Sequence, residues 1–291
     1  MNIIIKLVNF LQSLFLKTLR FFALIQSAVR RLEYPEFKNR RLVIDVGGGG
    51  LPNPYAHVVV EAFPSDKERA TKLRLDRQTV WAYAENLPFK DQIFSYSIMS
   101  HVLEHLYKPG EALKELERIS AAGYIETPNT LFETAVSHFY HVSFCDVICD
   151  QLIIRPKKTW DEKIVSTPLL EQITDYFNIV NHYFPNKNLT RFGWVEKINY
   201  KVLEGRFFEK NEEILNQNIV YSTRNPIKRI IIEAIYKILS PKKIKIESIL
   251  ACPICKGELM FSNVTCTCKT CAKTYGKLME FYDFRQPLNN Y

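Results

Sequence analysis

Residues 41–50 read Arg41-Leu42-Val43-Ile44-Asp45-Val46-Gly47-Gly48-Gly49-Gly50. A short apolar run, interrupted only by Asp45, stops abruptly at four glycines. A strand covered on both faces shows such a run in place of polar alternation. Glycines then permit a tight turn and a close approach of backbone to ligand. Downstream, His57-Val58-Val59-Val60-Glu61 repeats the apolar run and ends in a carboxylate. Strand, glycine turn and a second strand closing on an acid form a nucleoside-type site, in which the carboxylate accepts from both ribose hydroxyls.

Further along, Ala84-Glu85-Asn86-Leu87-Pro88-Phe89 precedes a segment ending in Ile98-Met99-Ser100-His101-Val102-Leu103-Glu104-His105-Leu106. The sequence predicts a loop, a buried strand ending at Met99, a helix from about Glu111 to Ser120, and a strand over Tyr124–Glu126. Strands alternating with helices predict an α/β, Rossmann-like doubly wound sheet. Residues 192–202 show partial alternation and are expected to complete that sheet.

Two nucleoside cofactors fit the glycine turn and its acid, NAD and S-adenosylmethionine, and the later segments decide between them: their order resembles the class I S-adenosylmethionine-dependent methyltransferases of the type-11 branch, over about residues 41–130. The family pattern has an acidic, glycine-rich first turn and "LPF" before the fourth strand. "HVLEH" follows that strand, and a further strand ends near "TPN". The resemblance implies that Asp45, Gly47 and Gly49 surround the methionine moiety, Glu61 the ribose, and Ala84 and Glu85 the adenine side. It also implies that Ser100 and His101 line the pocket past the fourth strand. The chain departs from the pattern at three positions: Leu51 replaces a glycine, Tyr83 an acidic residue and Ser95 an aspartate.

Methyl transfer from a sulfonium is an in-line displacement that needs positioning and, for a hydroxyl acceptor, a base. Histidine suits that role at neutral pH. His101 and His141 are the candidate catalytic residues. His101 and His105 flank Glu104 at a spacing that suits a metal, but the resemblance points away from one and makes His105 structural. A pocket-wall role competes with catalysis at His101, and a packed aromatic loop competes with an acceptor site at His138-Phe139-Tyr140-His141.

Near the C-terminus, Cys252-Pro253-Ile254-Cys255 and Cys268-Lys269-Thr270-Cys271 are two CxxC knuckles. Four thiolates so spaced suit tetrahedral zinc, with Cys252, Cys255, Cys268 and Cys271 as ligands and Cys266 spare. A ribbon of this size has too small a core to fold alone, so the metal is its expected stabiliser. The segment resembles the small zinc-ribbon proteins that bind and activate RNA and protein methyltransferases, here joined to the catalytic domain in one chain.

Residues 2–31 place Asn2, Lys6, Asn9, Ser13, Lys17, Arg20, Ser27 and Arg31 on one helical stripe beside a wide apolar face. Two readings stand: a helix lying on an anionic membrane through residues 1–31, or one docked on protein. A second basic amphipathic helix opens at Asn225-Pro226 and stops at Ser240-Pro241. The expected divisions are residues 1–40 (basic amphipathic helix), 41–225 (methyltransferase domain), 226–248 (basic helix and linker) and 249–291 (zinc ribbon).

The chain has 291 residues, 47% of them hydrophobic, so it is globular rather than disordered. No stretch is long and apolar enough to span a bilayer. The net charge of +8 belongs to the ends: residues 1–41 and 226–291 each carry +6, and residues 42–225 carry −4. A mildly acidic centre argues against nucleic acid and for a small-molecule or saccharide-type acceptor. The competing readings are an RNA or protein methyltransferase that uses the ribbon for recognition, and an inactive binding protein, the latter motivated by Tyr83 and Ser95. The expected location is cytoplasmic, at the inner face of the membrane where the N-terminal helix meets lipid.

Overall fold

The computed structural model describes residues 6–8, 10–15, 17–18, 22, 41–64, 72–135, 138–159, 185–209 and 226–287. The first apolar run is β1 (Val43–Val46), buried along its whole length. β2 (Val58–Glu61), β3 (Gln78–Trp81), β4 (Tyr96–Ser100) and β5 (Ala122–Pro128) follow. They pair in parallel in the spatial order β3-β2-β1-β4-β5. Between β4 and β5 runs α1 (Pro109–Ile119). Pro109 occupies its first turn, where a missing N–H leaves no bond unmade. Ala112, Leu113, Leu116 and Ile119 recur every three or four residues and are buried.

β8 (Leu189–Val195) completes this sheet, antiparallel to β5. The strand expected over 192–202 is in fact two. Glu196 adopts a φ of 60° and the Lys197 amide folds back onto the Val195 carbonyl at 2.7 Å, which ends β8. β9 (Tyr200–Val202) instead joins β6 (Ser143–Ile148) and β7 (Gln151–Pro156) in a second sheet of order β6-β7-β9. Cys149 and Asp150, both at positive φ, make the two-residue turn of the β6–β7 hairpin. The short helix α2 (Thr130–Ala135) lies between β5 and β6.

α3 (Pro226–Leu239) begins at the proline that predicts it. Its Tyr236 hydroxyl donates to the Pro52 carbonyl, and the Arg74 guanidinium stacks 4.1 Å from the Tyr236 ring centroid. Arg74 also grips Glu233 through both terminal nitrogens, at 3.0 and 2.8 Å. α3 is therefore seated on the loop that follows the glycine turn.

The cysteine-rich end is a meander of β10 (Leu259–Phe261), β11 (Cys266–Cys268), β12 (Thr274–Leu278) and β13 (Phe281–Asp283). It does not hang from the linker. β13 pairs in parallel with β3, Asp283 opposite Trp81, so the ribbon prolongs the large sheet. The Trp81 indole N–H donates to the Leu278 carbonyl at 2.9 Å and the Phe284 amide to the Trp81 carbonyl at 2.8 Å. A second seam joins Lys90 N to Ile249 O and Ala251 N to Pro88 O, each 3.0 Å. One apolar cluster runs from Ile44, Val58 and Leu116 through Phe89 into Leu250, Cys252 and Tyr275.

The described residues of the N-terminal segment are helical. Leu7, Phe10, Leu11, Leu14 and Phe15 are each more than half exposed, so these side chains are not buried against the sheet and its helices. Among the described residues no helix is long and apolar enough to cross a membrane.

Candidate active site and cysteine centre

The strand order reverses between β1 and β4, and in open α/β sheets a ligand crevice lies at such a reversal, beyond the carboxyl ends of the strands. Three of the expected elements converge there. β1 delivers Asp45 and the glycine turn, β2 ends on Glu61, and β4 ends on Ser100. Gly47 and Gly49 sit at φ of 78° and 59°, and a side chain at Gly47 would run into the Val102 methyl beyond β4. The glycines thus serve both the left-handed turn and the close packing across the reversal.

Asp45 is buried, and its Oδ2 accepts the Asn53 amide at 2.6 Å. Arg77 ties the same loop by donating to the Asn53 and Ala56 carbonyls at 2.8 and 3.1 Å. Glu61, also buried, accepts the Gly49 amide through Oε1. The carboxylate read as a ribose partner therefore also closes the glycine turn from below. Ala84 is buried; Glu85 is half-buried, and burial pushes its carboxyl up from the ordinary value. Tyr83 is exposed and meets the exposed Phe63 edge to face at 6.3 Å. Ser95 exchanges hydrogen bonds with the Leu42 backbone at 3.2 and 2.9 Å, at the opposite end of β1 from the glycines.

The histidines separate. His101 is about half exposed and sits at a φ of 56°, its amide on the Glu126 carbonyl. Its ring lies 3.5 Å from Glu104 Oε1 and 3.6 Å from Glu126 Oε1. Desolvation opposes its charge, but the two carboxylates outweigh that and raise its pKa to about 9. The two carboxylates favour the imidazolium form, which donates a hydrogen bond and must give up its proton before it can serve as a base. His141 is only 5% exposed, and its Nδ1 lies 2.6 Å from Glu133 Oε2. Burial, foremost, lowers its pKa to about 3, so it stays neutral. His138 stacks on His141 and Tyr140 on His105, while His141 meets His105 and Tyr140 edge to face, so the half-buried residues 138–140 and the buried His141 form one aromatic cluster with His105.

Two charged groups around this loop, Glu133 and Lys157, have no place in the sequence-based expectations, and Glu104 and Glu126 appear there without a role toward the histidines. Lys157 is fully buried and ion-paired with Glu133. Glu104 had a signal, a carboxylate inside an apolar turn between two histidines. Lys157 had only the β-strand before it.

At the other end, the Sγ atoms of Cys252, Cys255, Cys268 and Cys271 lie within 4.8 Å of one another. The Cys252–Cys271 and Cys255–Cys268 separations are 3.6 and 3.4 Å. Thiolates bound at about 2.3 Å in a tetrahedron stand about 3.8 Å apart, so the set fits zinc. The amides of Thr270 and Cys271 point at Cys268 Sγ from 3.4 and 3.5 Å. Cys266 lies outside the set, buried in β11, and burial pushes its thiol up to about 12.

A family model described as "methyltransferase domain" matches residues 45–124, from Asp45 at the glycine turn to Tyr124 in β5. Solved structures similar to the chain include the Bacillus subtilis YcgJ protein, 17% identical, with 38% of this chain and 51% of that one covered and a TM-score of 0.27. An S-adenosylmethionine-dependent methyltransferase from Thermotoga maritima is 26% identical, with 42% and 57% covered and a TM-score of 0.28. A complex of a methyltransferase activator from Haloferax volcanii with a methyltransferase gives 13% identity, 61% and 90% coverage and a TM-score of 0.35. The chain spans about half the length of the Bacillus and Thermotoga structures. No curated protein matches it. The matched residues 45–124 lie in the parallel half of the sheet, and the ribbon and β8 flank that half on opposite edges.

Proposed function

We propose that the chain transfers a methyl group from S-adenosylmethionine to a small-molecule or saccharide-type acceptor. The observation that carries this reading is the meeting, at the strand-order reversal, of the left-handed glycine turn, Glu61 and the end of β4. In this reading Asp45, Gly47 and Gly49 hold the methionine end, Glu61 the ribose, and Ala84 and Glu85 the adenine side. Ser100 and His101 line the acceptor side. The half-exposed, positively charged His101 meets the acceptor as a hydrogen-bond donor, while His141 acts behind it as a positioning residue. The acidic central region supports a non-nucleic-acid acceptor, because phosphate backbones are gripped by positive charge.

In the same reading the four ribbon cysteines hold one structural zinc. The metal supplies cross-linking and charge compensation, and takes no part in methyl transfer. The N-terminal helix attaches the enzyme to an anionic membrane surface at the cytoplasmic face. Exposed Leu7, Phe10, Leu11, Leu14 and Phe15 beside Lys6 and Lys17 support this, since apolar burial plus about 1 kcal/mol per cation gives reversible binding.

The test is transfer of isotope-labelled methyl from S-adenosylmethionine into separated envelope-saccharide, small-molecule, RNA and protein fractions. Label in the saccharide or small-molecule fraction supports the reading. Label in RNA or protein transfers the assignment to those acceptors, and cofactor binding without transfer in any fraction marks an inactive binding protein.

A further inference from the structure

Glu104 is 1% exposed, and among the described residues neither of its carboxylate oxygens has a hydrogen-bond partner. A buried carboxylate so placed is costly unless cations meet it, and the His101 imidazolium beside it is half exposed and beyond hydrogen-bond distance at 3.5 Å. Its Oε1 faces imidazole nitrogens on three sides: His101 Nδ1 at 3.5 Å, His105 Nε2 at 3.9 Å and His141 Nε2 at 4.0 Å. We propose that Glu104, His105 and His141 form a second divalent-cation site, separate from the four cysteines.

The donor set is one carboxylate and two imidazoles, which suits zinc and neighbouring transition metals. The donor atoms of Glu104, His105 and His141 lie within 4.8 Å of one another. Ligands held at about 2.1 Å in a tetrahedron stand about 3.4 Å apart, so side-chain shifts of up to about an ångström close the site. The tautomer is already set. His141 Nδ1 lies 2.6 Å from Glu133 Oε2, so it donates there and turns its Nε2 lone pair toward Glu104. A histidine ligand that gives its other N–H to a carboxylate is the usual outer-shell arrangement of metal sites. Glu133 is not itself a ligand, because the buried Lys157 ammonium is paired with it. The ring of His105 is fixed by stacking on Tyr140, 5.4 Å between centroids and 12° between planes. The half-exposed His101 marks the solvent side, from which an ion enters and a fourth ligand binds. The site lies just past β4, next to Ser100 and His101.

The experiment uses the full chain with its cysteine centre loaded with zinc, titrated with cobalt(II) and followed by visible absorption and metal analysis. One further ion per chain is expected, with nitrogen/oxygen-ligand bands and a rise in Tm. Glu104→Gln and, at a less buried position, His105→Asn are each expected to weaken that ion at least about tenfold. The His105 variant keeps the test decisive if the Glu104 variant does not fold. Wild-type protein that takes no cobalt beyond the cysteine centre overturns the proposal; so does a second ion retained at full affinity in both variants. In the first case the His101 imidazolium alone balances Glu104. Metal binding is read without methyl transfer, so failure here leaves the proposed activity untouched.

Discussion

Lys256, one residue past the second ribbon cysteine, donates to Glu115 Oε2 on α1 at 3.0 Å. The same ammonium reaches Asn86 Oδ1 at 3.1 Å, and Glu115 Oε2 accepts the Leu87 amide at 2.7 Å. Arg118 encloses Glu115 from the other side at 2.8 Å. The ribbon, α1 and the loop that carries Ala84 and Glu85 are thereby clamped at one carboxylate. Burial alone would raise the Glu115 pKa, but Arg118 and Lys256 outweigh it and hold the pKa below its ordinary value of 4.5.

A depressed carboxyl pKa contributes stability that is present above the unfolded-state value and is lost as pH falls through the folded one. Tm is therefore expected to drop as pH is lowered below about 4.5, and to drop less in Glu115→Gln, whose Tm is already lower at pH 7. Removing one partner of this half-buried pair costs about 1–3 kcal/mol. Thermal melts at pH 7 and pH 4 check this. Equal acid sensitivity in the two proteins would show that the clamp is not the titrating element.

Loss of the ribbon metal is expected to reach the cofactor pocket. The route is short: Ala251 bonds Pro88, Lys256 bonds Asn86, and Arg285 donates to the Ala62 carbonyl next to Glu61 at 3.1 Å. Cys268→Ser should release the zinc and weaken S-adenosylmethionine binding, whereas Cys266→Ala keeps both, its side chain lying outside the ligand set. Metal analysis alongside calorimetry reads the two effects. Unchanged cofactor affinity in metal-free protein would confine the ribbon to a local role.

Gly47→Ala is predicted to be damaging out of proportion to one methyl group. The φ of 78° disfavours any side chain, and the added carbon meets Val102. The expected loss of stability is about 1–3 kcal/mol, measured by denaturant unfolding. Val102→Ala in the same chain should relieve the packing part and leave the backbone part. No rescue would mean that the cost is entirely conformational.

The parallel core was legible because its signals are local. A buried strand ending in glycines, an acid after the next strand, and a proline-started helix each lie within a few residues. The four cysteines were legible for the same reason. Long-range relations were not. The parallel pairing of Asp283 with Trp81 joins residues about 200 apart, and nothing in either short strand marks its partner. The break at Glu196 needs a positive φ that glutamate does not advertise. The histidines were visible as residues, but their roles depend on Glu104, Glu126 and Glu133, which reach them from separate elements.

The central claim is that the glycine turn and Glu61 bind S-adenosylmethionine, and calorimetry of the full chain with that cofactor tests it most directly. One molecule should bind per chain, and Glu61→Gln should weaken binding by about 1–3 kcal/mol, the scale of losing a charge-assisted hydrogen bond. Tight binding of NAD with no binding of S-adenosylmethionine, or equal affinity in the Glu61 variant, would contradict the account.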